Sequence, residues 1–476
     1  MKVLFLVHGY PPELCGGTER HVQQLAEWIA FMDECHEVVV CAGTLHGGPG
    51  AQESWEECAP RGDGKPIRVL RLPRTDLYYD HWQKSSSPAI SGRVRELIRS
   101  ERPDVVAVHH WTRLSRDLVL AAAREGVPAT VHLHDHWTSC PIAFRVKPTD
   151  GSFCESPANG MVCPPCAGSL PPFTPWVSME EHFIALAERQ ADMQRELKLA
   201  RIVSAPSRAH AESVARFMDV ALDADQVRIL APNDCGALDH QPARHVSGPP
   251  WVIAHWGGLS RLKGTDLLFE AVAALSDPSA VRLMLAGVEE RPGFLADLHA
   301  RFPQVAYDNH GPFDANDRRA GRPQDAHAAV FPTRAHESFG MVVNEALRSG
   351  LPCAVADIPA FRERLREGAG VRFFEAGSVI ALRDVLQSWV DDPASLTQLR
   401  ERVGDAQAAL DELTPGSGYV PESLYRALLE EAIDLGPPDP ASLPPEDWYS
   451  DRIKQHALEE WDRRLSECSA QDLGLE

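Results

Sequence analysis

Short apolar segments alternate with helix-like segments along most of the chain. The apolar segments are rich in Val, Ile and Leu and are apolar at nearly every position, as strands buried on both faces of a sheet are. They are KVLFLVHGY, HEVVVCAG, IRVLRL, DVVAVHH, ATVHLHD, RIVSAPS, VRILAPN, WVIAHWGG, VRLMLAG, AAVFPT, PCAVAD and GVRFFE. Helical segments such as 18–31 and 265–275 lie between them. This alternation predicts an α/β protein with doubly wound parallel sheets.

About twelve strands are too many for one ordinary sheet. The stretch 236–250 is polar and rich in Pro and Gly, which is typical of a linker. We therefore expect two doubly wound domains of similar size, residues 1–235 and 245–410, that face each other across a cleft. Residues 138–178 lack periodicity and are rich in Pro, Gly and Cys, which predicts an insertion in the first domain. Residues 411–476 are expected to form helices that partly return to that domain.

Charge and hydropathy exclude several classes of protein. The formal net charge of −21 argues against a non-specific nucleic-acid binder, because phosphate neutralisation needs clustered Lys and Arg. No segment approaches the ~20 apolar residues of a membrane span. The opening MKVLFLVHGY is too short an apolar run for an export signal. We therefore expect a cytoplasmic protein whose eleven cysteines are mostly reduced.

Two glutamates, Glu337 and Glu345, flank a predicted turn and helix start in PTRAHESFGMVVNEALRSG. The turn follows the strand AAVFPT, and ligands of parallel α/β sheets bind beyond the carboxyl ends of strands. A helix that begins near Gly340 would offer free N–H groups to phosphate. The two carboxylates would then accept hydrogen bonds from hydroxyls on either side, which describes a sugar nucleotide. Alternatively, Glu337 only complements the helix dipole and Glu345 is a solvated helix residue.

Several motifs together resemble family four of the glycosyltransferases. They are HESFGMVVNEALRSGLPCAVAD, GYPPELCGGTERHVQQLAEWI and GGLSRLKGTDLLFEAV, with APS at 205–207, APN at 231–233 and HG at 310–311. Members of this family are nucleotide-sugar-dependent retaining enzymes with the GT-B fold of two Rossmann-like domains. The resemblance covers about residues 1–435 and implies that fold and a donor site on the second domain.

The resemblance also implies roles for individual residues. It assigns donor binding to Gly16, Gly17, Arg261, Lys263, Glu337, Ser338, Phe339, Gly340, Met341 and Glu345. Glu337 would bind hydroxyls of the donor sugar, Glu345 would hold the ribose, and Lys263 would neutralise the departing diphosphate. Without the resemblance, Gly16 and Gly17 could equally form a tight strand-to-helix turn. Lys263 could equally be an ordinary surface lysine. The family usually has an arginine where this sequence has Gly258, and Arg261 is the nearby candidate to replace it.

Histidines mark the predicted acceptor side in the first domain. The strand in VHLHDHW places His134 at its end, facing the cleft, where the resemblance implies a histidine close to the reaction centre. A histidine there could orient or polarise an acceptor hydroxyl. His132 shares its face by strand periodicity. Asp135, His109 and His110 are weaker candidates, and all of these histidines could instead cap strand ends.

Four cysteines lie close together in the insertion: Cys140, Cys154, Cys163 and Cys166. A spacing of C-x13-C-x8-C-x2-C suits a closed tetrahedral metal site. A loop of ~40 residues without secondary structure is not expected to order itself, and metal ligation would fix it. The prediction is a structural zinc, with an iron–sulfur cluster as the alternative. Four reduced thiols, or disulfides, remain the other interpretation.

The predicted function is therefore transfer of a sugar from a nucleoside-diphosphate sugar to a hydroxyl of a glycan, a lipid-linked molecule or a small molecule. The setting would be glycan or glycoconjugate synthesis, including polysaccharide biosynthesis, and no metal would be needed for catalysis. Alternatives are a GT-B nucleotide-sugar epimerase or phosphorylase, and a catalytically silent scaffold that binds a partner through the cysteine loop. Peripheral membrane contact is left open.

Overall fold

The computed structural model describes residues 1–32, 36–59, 64–168, 170, 178–232, 248–312, 326–413 and 421–468. Within these ranges, fourteen strands form two sheets. The strands are β1 (Lys2–Val7), β2 (Glu37–Gly43), β3 (Ser54–Cys58), β4 (Ile67–Leu72), β5 (Val105–Val108), β6 (Ala129–His132), β7 (Ile202–Ala205), β8 (Val227–Ile229), β9 (Trp251–Leu259), β10 (Val281–Glu289), β11 (Ala306–Asn309), β12 (Ala328–Phe331), β13 (Cys353–Ala356) and β14 (Val371–Phe374).

Helices cover the faces of both sheets. They are α1 (Gly17–Met32), α2 (Pro88–Glu101), α3 (Leu118–Arg124), α4 (Met179–Leu199), α5 (Arg208–Met218), α6 (Thr265–Ala273), α7 (Phe294–Arg301), α8 (Met341–Arg348), α9 (Pro359–Arg362), α10 (Val379–Asp391), α11 (Pro393–Glu401), α12 (Val403–Leu413), α13 (Pro421–Leu435) and α14 (Trp448–Ser466). Among the described helices, none has the length and apolar character that crossing a membrane requires.

Strand order places a ligand crevice in each domain. The first sheet has the order β3-β4-β2-β1-β5-β6-β7-β8, and the second has the order β11-β10-β9-β12-β13-β14. The order changes direction between β1 and β5 in the first sheet and between β9 and β12 in the second. Ligands of doubly wound sheets bind outside the carboxyl ends of the strands at such switch points. The expected fold of two doubly wound, largely parallel sheets is confirmed.

All twelve strands predicted from apolar segments are present. Two further strands, β3 and β11, are short edge strands that the sequence did not reveal. β3 is mostly exposed and pairs antiparallel with β4, and the last two residues of β11 are exposed. An edge strand with a solvated face has no need of the continuous apolar run that marks a strand buried on both faces.

The two C-terminal helices pack on the first domain. Helix α13 lies against α1, β5 and β6, and its Leu428, Leu429 and Ala432 join the apolar core there. Helix α14 packs on α2. Its Asp462 carboxylate accepts from the fully buried Lys84 ammonium and, at 3.2 Å, from the Leu77 amide. The chain therefore crosses to the second domain and returns.

The described part of the insertion is built largely without helices or strands. Between Cys140 and Ser178 its described residues contain turns and an isolated bridge between Val146 and Phe153. Two buried arginines organise its backbone. Arg145 donates to the carbonyls of Ser139 and Cys154 at 2.7 and 3.0 Å. Arg189 donates to carbonyls at 137, 138 and 140.

Candidate active site

A cleft of about 460 Å³ lies between the two domains, at the carboxyl ends of their sheets. The first domain contributes residues that follow β1 and β6, together with the start of α1. The second domain contributes the end of β9 and the segment from β12 into α8. Eleven of the predicted site residues line this cleft: Gly17, His132, His134, Asp135, Lys263, Glu337, Ser338, Phe339, Gly340, Met341 and Glu345. Gly16 and Arg261 are not part of its lining.

Helix α8 begins in the cleft behind a glycine that no other residue could easily replace. Gly340 has a φ of 81°, and a β-carbon there would lie 2.5 Å from the Phe361 ring. No side chain caps the helix start. The first N–H groups of α8 therefore lack a side-chain acceptor, and they carry the positive end of the helix dipole. This is the arrangement that binds phosphate at helix N-termini.

Lys263 lies beside this helix start and contacts Glu337. Its ammonium Nζ is 2.6 Å from Glu337 Oε1. The loop that carries Lys263 is held close to the β12 loop by Gly264, which has a φ of 75°. A β-carbon at that position would lie 1.9 Å from the Pro332 carbonyl oxygen. Among the described lining residues, Lys263 is the sole lysine or arginine, and Gly258 lines the cleft where the family usually has an arginine.

Glu345 lies on the second turn of α8 and is oriented by a residue that the sequence analysis missed. Trp256, near the end of β9, donates its indole N–H to Glu345 Oε2 at 2.8 Å. Both side chains line the cleft. Trp256 lies near the end of the strand in WVIAHWGG, and this position could have indicated a site residue. Ligands of doubly wound sheets bind beyond the carboxyl ends of the strands at the switch point, so side chains there can reach the ligand.

Arg261 points away from the cleft. Its side chain is largely exposed, and Nε lies 3.8 Å from an Asp266 carboxylate oxygen. Asp266 is held more closely by Arg334, whose two terminal nitrogens donate to it at 2.6 and 2.8 Å. The structure therefore gives no contact between Arg261 and the cleft where the donor phosphates are predicted.

The two domains touch at the rim of the cleft. Gly17 at the start of α1 faces Met341, since a β-carbon on Gly17 would lie 3.3 Å from the Met341 methyl carbon. Ser207 donates to the Ser338 carbonyl at 2.7 Å across the domain boundary. Phe153 of the insertion stacks on His336 with ring centroids 3.4 Å apart. The insertion and the first domain therefore enclose the start of α8.

Histidines fill the first-domain wall of the cleft. His134 lines the cleft, and its Nε2 lies 2.9 Å from His109 Nδ1. Burial lowers the pKa of His134 well below its ordinary value, and the neighbouring histidines lower it further. The ring is therefore neutral near pH 7. His132 Nδ1 forms a hydrogen bond with the Ser204 hydroxyl at 2.8 Å, which links the neighbouring strands β6 and β7.

A second polar pair on this wall was not predicted. His8, directly after β1, lies 2.7 Å from Glu19 Oε1 in α1, and both line the cleft. Burial alone would raise the pKa of Glu19, but the hydrogen bond with His8 lowers it overall. Two of the weaker candidates form a similar pair next to it, with His110 Nε2 3.6 Å from Asp135 Oδ2.

Buried histidines should make stability depend on pH. Burial lowers the pKa of His21, His210 and His255 to about 4, whereas the unfolded chain titrates near 6.5. Between these values the unfolded state binds more protons, so stability is present above pH ~6.5 and falls as the pH drops towards 4. We expect the free energy of unfolding to fall by roughly 1 kcal/mol per histidine between pH 7.5 and 5.5.

Urea unfolding at the two pH values measures this effect. His255→Asn removes one of the three groups and should give a smaller fall than the wild type. An equal fall in the wild type and in His255→Asn would show that His255 is not buried in the neutral form.

The four cysteines of the insertion lie near one another but are not arranged as a metal site. Burial raises the pKa of the Cys163 and Cys166 thiols, and the nearby Cys140 and Cys154 raise it further. No group of three or more His, Cys, Asp or Glu side chains among the described residues has the geometry to hold a metal ion. No disulfide joins the described cysteines. Arg145 and Arg189 donate hydrogen bonds to the backbone of the loop in this structure, and the structural metal stays a prediction.

Sequence and structure comparisons agree with this architecture. Residues 16–159 match the family model described as "Glycosyl transferase 4-like domain", and residues 239–408 match "Glycosyl transferases group 1". The chain is 28% identical over 314 residues to a D-inositol 3-phosphate glycosyltransferase 1 of Catenulispora acidiphila, with 62% of this chain and 66% of that protein covered. It is 40% identical over 183 residues to a phosphatidyl-myo-inositol mannosyltransferase of Mycobacterium leprae, covering 36% of this chain and 46% of that protein.

Solved structures share the fold at low sequence identity. Anabaena Alr3699/HepE in complex with UDP has a TM-score of 0.53 at 16% identity, covering 90% of this chain and 99% of that one. An α,α-trehalose-phosphate synthase from Burkholderia xenovorans, in complex with glucose-6-phosphate, has a TM-score of 0.59 at 12% identity, covering 90% and 100%. Since the two family models together take in more than half of the 476 residues, the chain belongs to family four of the GT-B glycosyltransferases.

Proposed function

We propose that this protein is a retaining glycosyltransferase that moves a sugar from a nucleoside-diphosphate sugar to an acceptor hydroxyl. The observation that carries the proposal is the meeting of three features in one interdomain cleft. They are the uncapped start of α8, the Lys263–Glu337 pair and the Glu345 carboxylate held by Trp256. The diphosphate would lie at the helix start, with the sugar near Glu337 and the ribose near Glu345.

Lys263 is the residue that stabilises the leaving group. A diphosphate carries more negative charge than the Glu337 carboxylate, so the ammonium would exchange its carboxylate contact for phosphate oxygens when the donor binds. Electrostatic stabilisation of developing charge is usually the largest catalytic term. The released carboxylate of Glu337 would then accept hydrogen bonds from the donor sugar.

The acceptor would approach from the first domain, past His134 and the His8–Glu19 pair. In the mechanism proposed for this family, the departing phosphate oxygen takes the acceptor proton on the same face of the sugar. Retention then needs no carboxylate nucleophile. The histidines on the first-domain side of the cleft would then orient the hydroxyl groups of the acceptor. A neutral imidazole can do this because it both donates and accepts a hydrogen bond.

Solved relatives of the fold support this substrate class, since Alr3699/HepE is known in complex with UDP and with UDP-glucose. Glycan or glycoconjugate synthesis, including polysaccharide biosynthesis, a cytoplasmic location and peripheral membrane contact stay predictions.

A panel of nucleotide sugars tests the proposal against its alternatives. Release of nucleoside diphosphate that requires a hydroxyl acceptor supports a transferase. An altered sugar without acceptor would indicate an epimerase, and release that requires inorganic phosphate would indicate a phosphorylase. No reaction with any donor and acceptor, together with capture of a partner that depends on the insertion, would indicate a silent scaffold.

A structural zinc in the insertion remains part of this proposal, although the thiols would have to converge from their present positions. Zinc binding would deprotonate the four cysteines and couple metal affinity to the order of the loop. We expect about one zinc per chain in protein purified without oxygen, and loss of that zinc in Cys163→Ser. Elemental analysis is the measurement. Negligible zinc and iron would mean that Arg145 and Arg189 alone order the loop.

A further inference from the structure

A chain of hydrogen bonds runs from the cleft to the C-terminal part of the protein. His134 Nε2 lies 2.9 Å from His109 Nδ1, and His109 Nε2 lies 2.8 Å from the hydroxyl of Tyr425. Tyr425 belongs to α13, more than 280 residues after His134, and reaches the site because that helix returns to the first domain.

Only one end of this chain reaches a ligand. His109 and Tyr425 are each 1% exposed, so water does not substitute for their partners. Both ring nitrogens of His109 are occupied, which fixes the orientation of its ring. His134 uses Nε2 within the chain, and no described group forms a hydrogen bond with its Nδ1. Nδ1 is therefore the nitrogen that His134 can offer to a substrate in the cleft.

The direction of each hydrogen bond sets the next one. A neutral imidazole has one nitrogen that donates and one that accepts. If the Tyr425 hydroxyl donates to His109 Nε2, then His109 donates from Nδ1 to His134 Nε2. His134 must then carry its own proton on Nδ1 and donate into the cleft. If Tyr425 instead accepts, every bond reverses and His134 Nδ1 becomes an acceptor.

A phenol O–H is a stronger hydrogen-bond donor than a neutral imidazole N–H, and an imidazole nitrogen is a stronger acceptor than a phenol oxygen, since tyrosine titrates near pH ~10 and histidine near pH ~6.5 in water. The pair is therefore most stable with Tyr425 donating to His109 Nε2. Burial also keeps His109 neutral, because it lowers the pKa of His109 well below its ordinary value.

We propose that Tyr425 and His109 are positioning residues of the reaction centre, which hold His134 as the Nδ1–H tautomer so that it donates a hydrogen bond to a substrate oxygen. The proposal rests on the transferase function, in that the substrate is the one proposed for the cleft. It adds a residue from the last fifth of the chain to a site otherwise built from the two Rossmann-like domains.

Tyr425→Phe is the test, because it removes the hydroxyl and keeps the ring that packs against Phe5. Nitrogen-15 spectra of histidine-labelled protein should show His134 as the Nδ1–H tautomer in the wild type and as a mixture in the variant. We expect kcat to fall roughly tenfold with little change in the KM for the donor, which is about what the loss of one hydrogen bond allows.

Tyr10→Phe is the matched control. Tyr10 is a fully buried tyrosine of the same core, and its hydroxyl has no hydrogen-bond partner among the described residues. This variant should leave the His134 resonances and kcat unchanged. Unaltered His134 resonances in Tyr425→Phe would overturn the proposal. The spectra need no turnover, so they decide this inference even if the protein transfers no sugar.

Discussion

Replacing Lys263 with methionine should reduce turnover by roughly a hundredfold to a thousandfold, which is the cost of removing one group that stabilises developing negative charge. The reason is its position: Lys263 is the sole lysine or arginine that lines the cleft among the described residues, 2.6 Å from Glu337 at the start of α8. Methionine keeps most of the volume and removes the charge. Steady-state kinetics with the donor found in the panel give kcat and kcat/KM.

Arg261→Met is the matched control, since Arg261 is two residues away and its side chain faces Asp266 rather than the cleft. We expect this variant to keep at least about a third of the wild-type rate, as exposed ion pairs contribute little. The opposite pattern, with Lys263→Met active and Arg261→Met inactive, would show that Arg261 replaces the arginine missing at Gly258. Melting temperatures of both variants separate loss of charge from loss of folding.

Replacing Glu345 with alanine should weaken nucleoside-diphosphate binding about tenfold to a hundredfold. A hydrogen bond to a charged group contributes roughly 1.5–3 kcal/mol, and each 1.4 kcal/mol is a factor of about ten in affinity. The carboxylate is held in place by the Trp256 indole N–H at 2.8 Å, so it is ordered before the ribose arrives. Isothermal titration calorimetry with the free nucleoside diphosphate measures the effect.

Glu337→Gln separates the two ends of the donor site. Glu337 is expected to contact the sugar, which a nucleoside diphosphate lacks, so this variant should bind the diphosphate nearly as the wild type does while transfer slows. Undiminished affinity in Glu345→Ala would show that the ribose does not lie on Glu345.

The sequence predicted the interior of this fold better than its edges. Strands such as β1 and β13 are buried on both faces, and the resulting run of apolar residues is visible in the sequence. The edge strands β3 and β11 are solvated, so the same signal does not exist for them. The return of α13 to the first domain was expected in general terms. Its partners, however, depend on contacts between residues far apart in the chain.

Residues of the site divide in the same way. Lys263, Glu337 and Glu345 lie in two compact motifs, and the resemblance of those motifs to the family predicted that the three residues share one crevice. Trp256 and Tyr425 act through side chains that meet partners about 90 and 316 residues away. No local pattern encodes such a pair. Arg261 shows that closeness in sequence does not guarantee a place in the site. It lies two residues from Lys263, but its side chain does not line the cleft.

The insertion illustrates how a compositional argument can omit a stabilising term. Its Pro and Gly content indicated a loop that does not order itself, and a bound metal was the predicted way to fix it. In the structure, Arg145 stacks on Phe217 at 3.5 Å from the ring centroid and also donates to loop carbonyls. Buried arginines that satisfy backbone carbonyls can order a loop without any helix or strand, because they supply the donors that the backbone lacks.

The most direct test of the account is the crystal structure of this protein with a nucleoside diphosphate bound. The account predicts phosphate oxygens within hydrogen-bond distance of the first backbone N–H groups of α8, with Lys263 Nζ moved from Glu337 to the phosphate and the ribose on Glu345. A nucleotide bound outside the interdomain cleft, or inside it with Lys263 still paired to Glu337 and Glu345 untouched, would contradict the account.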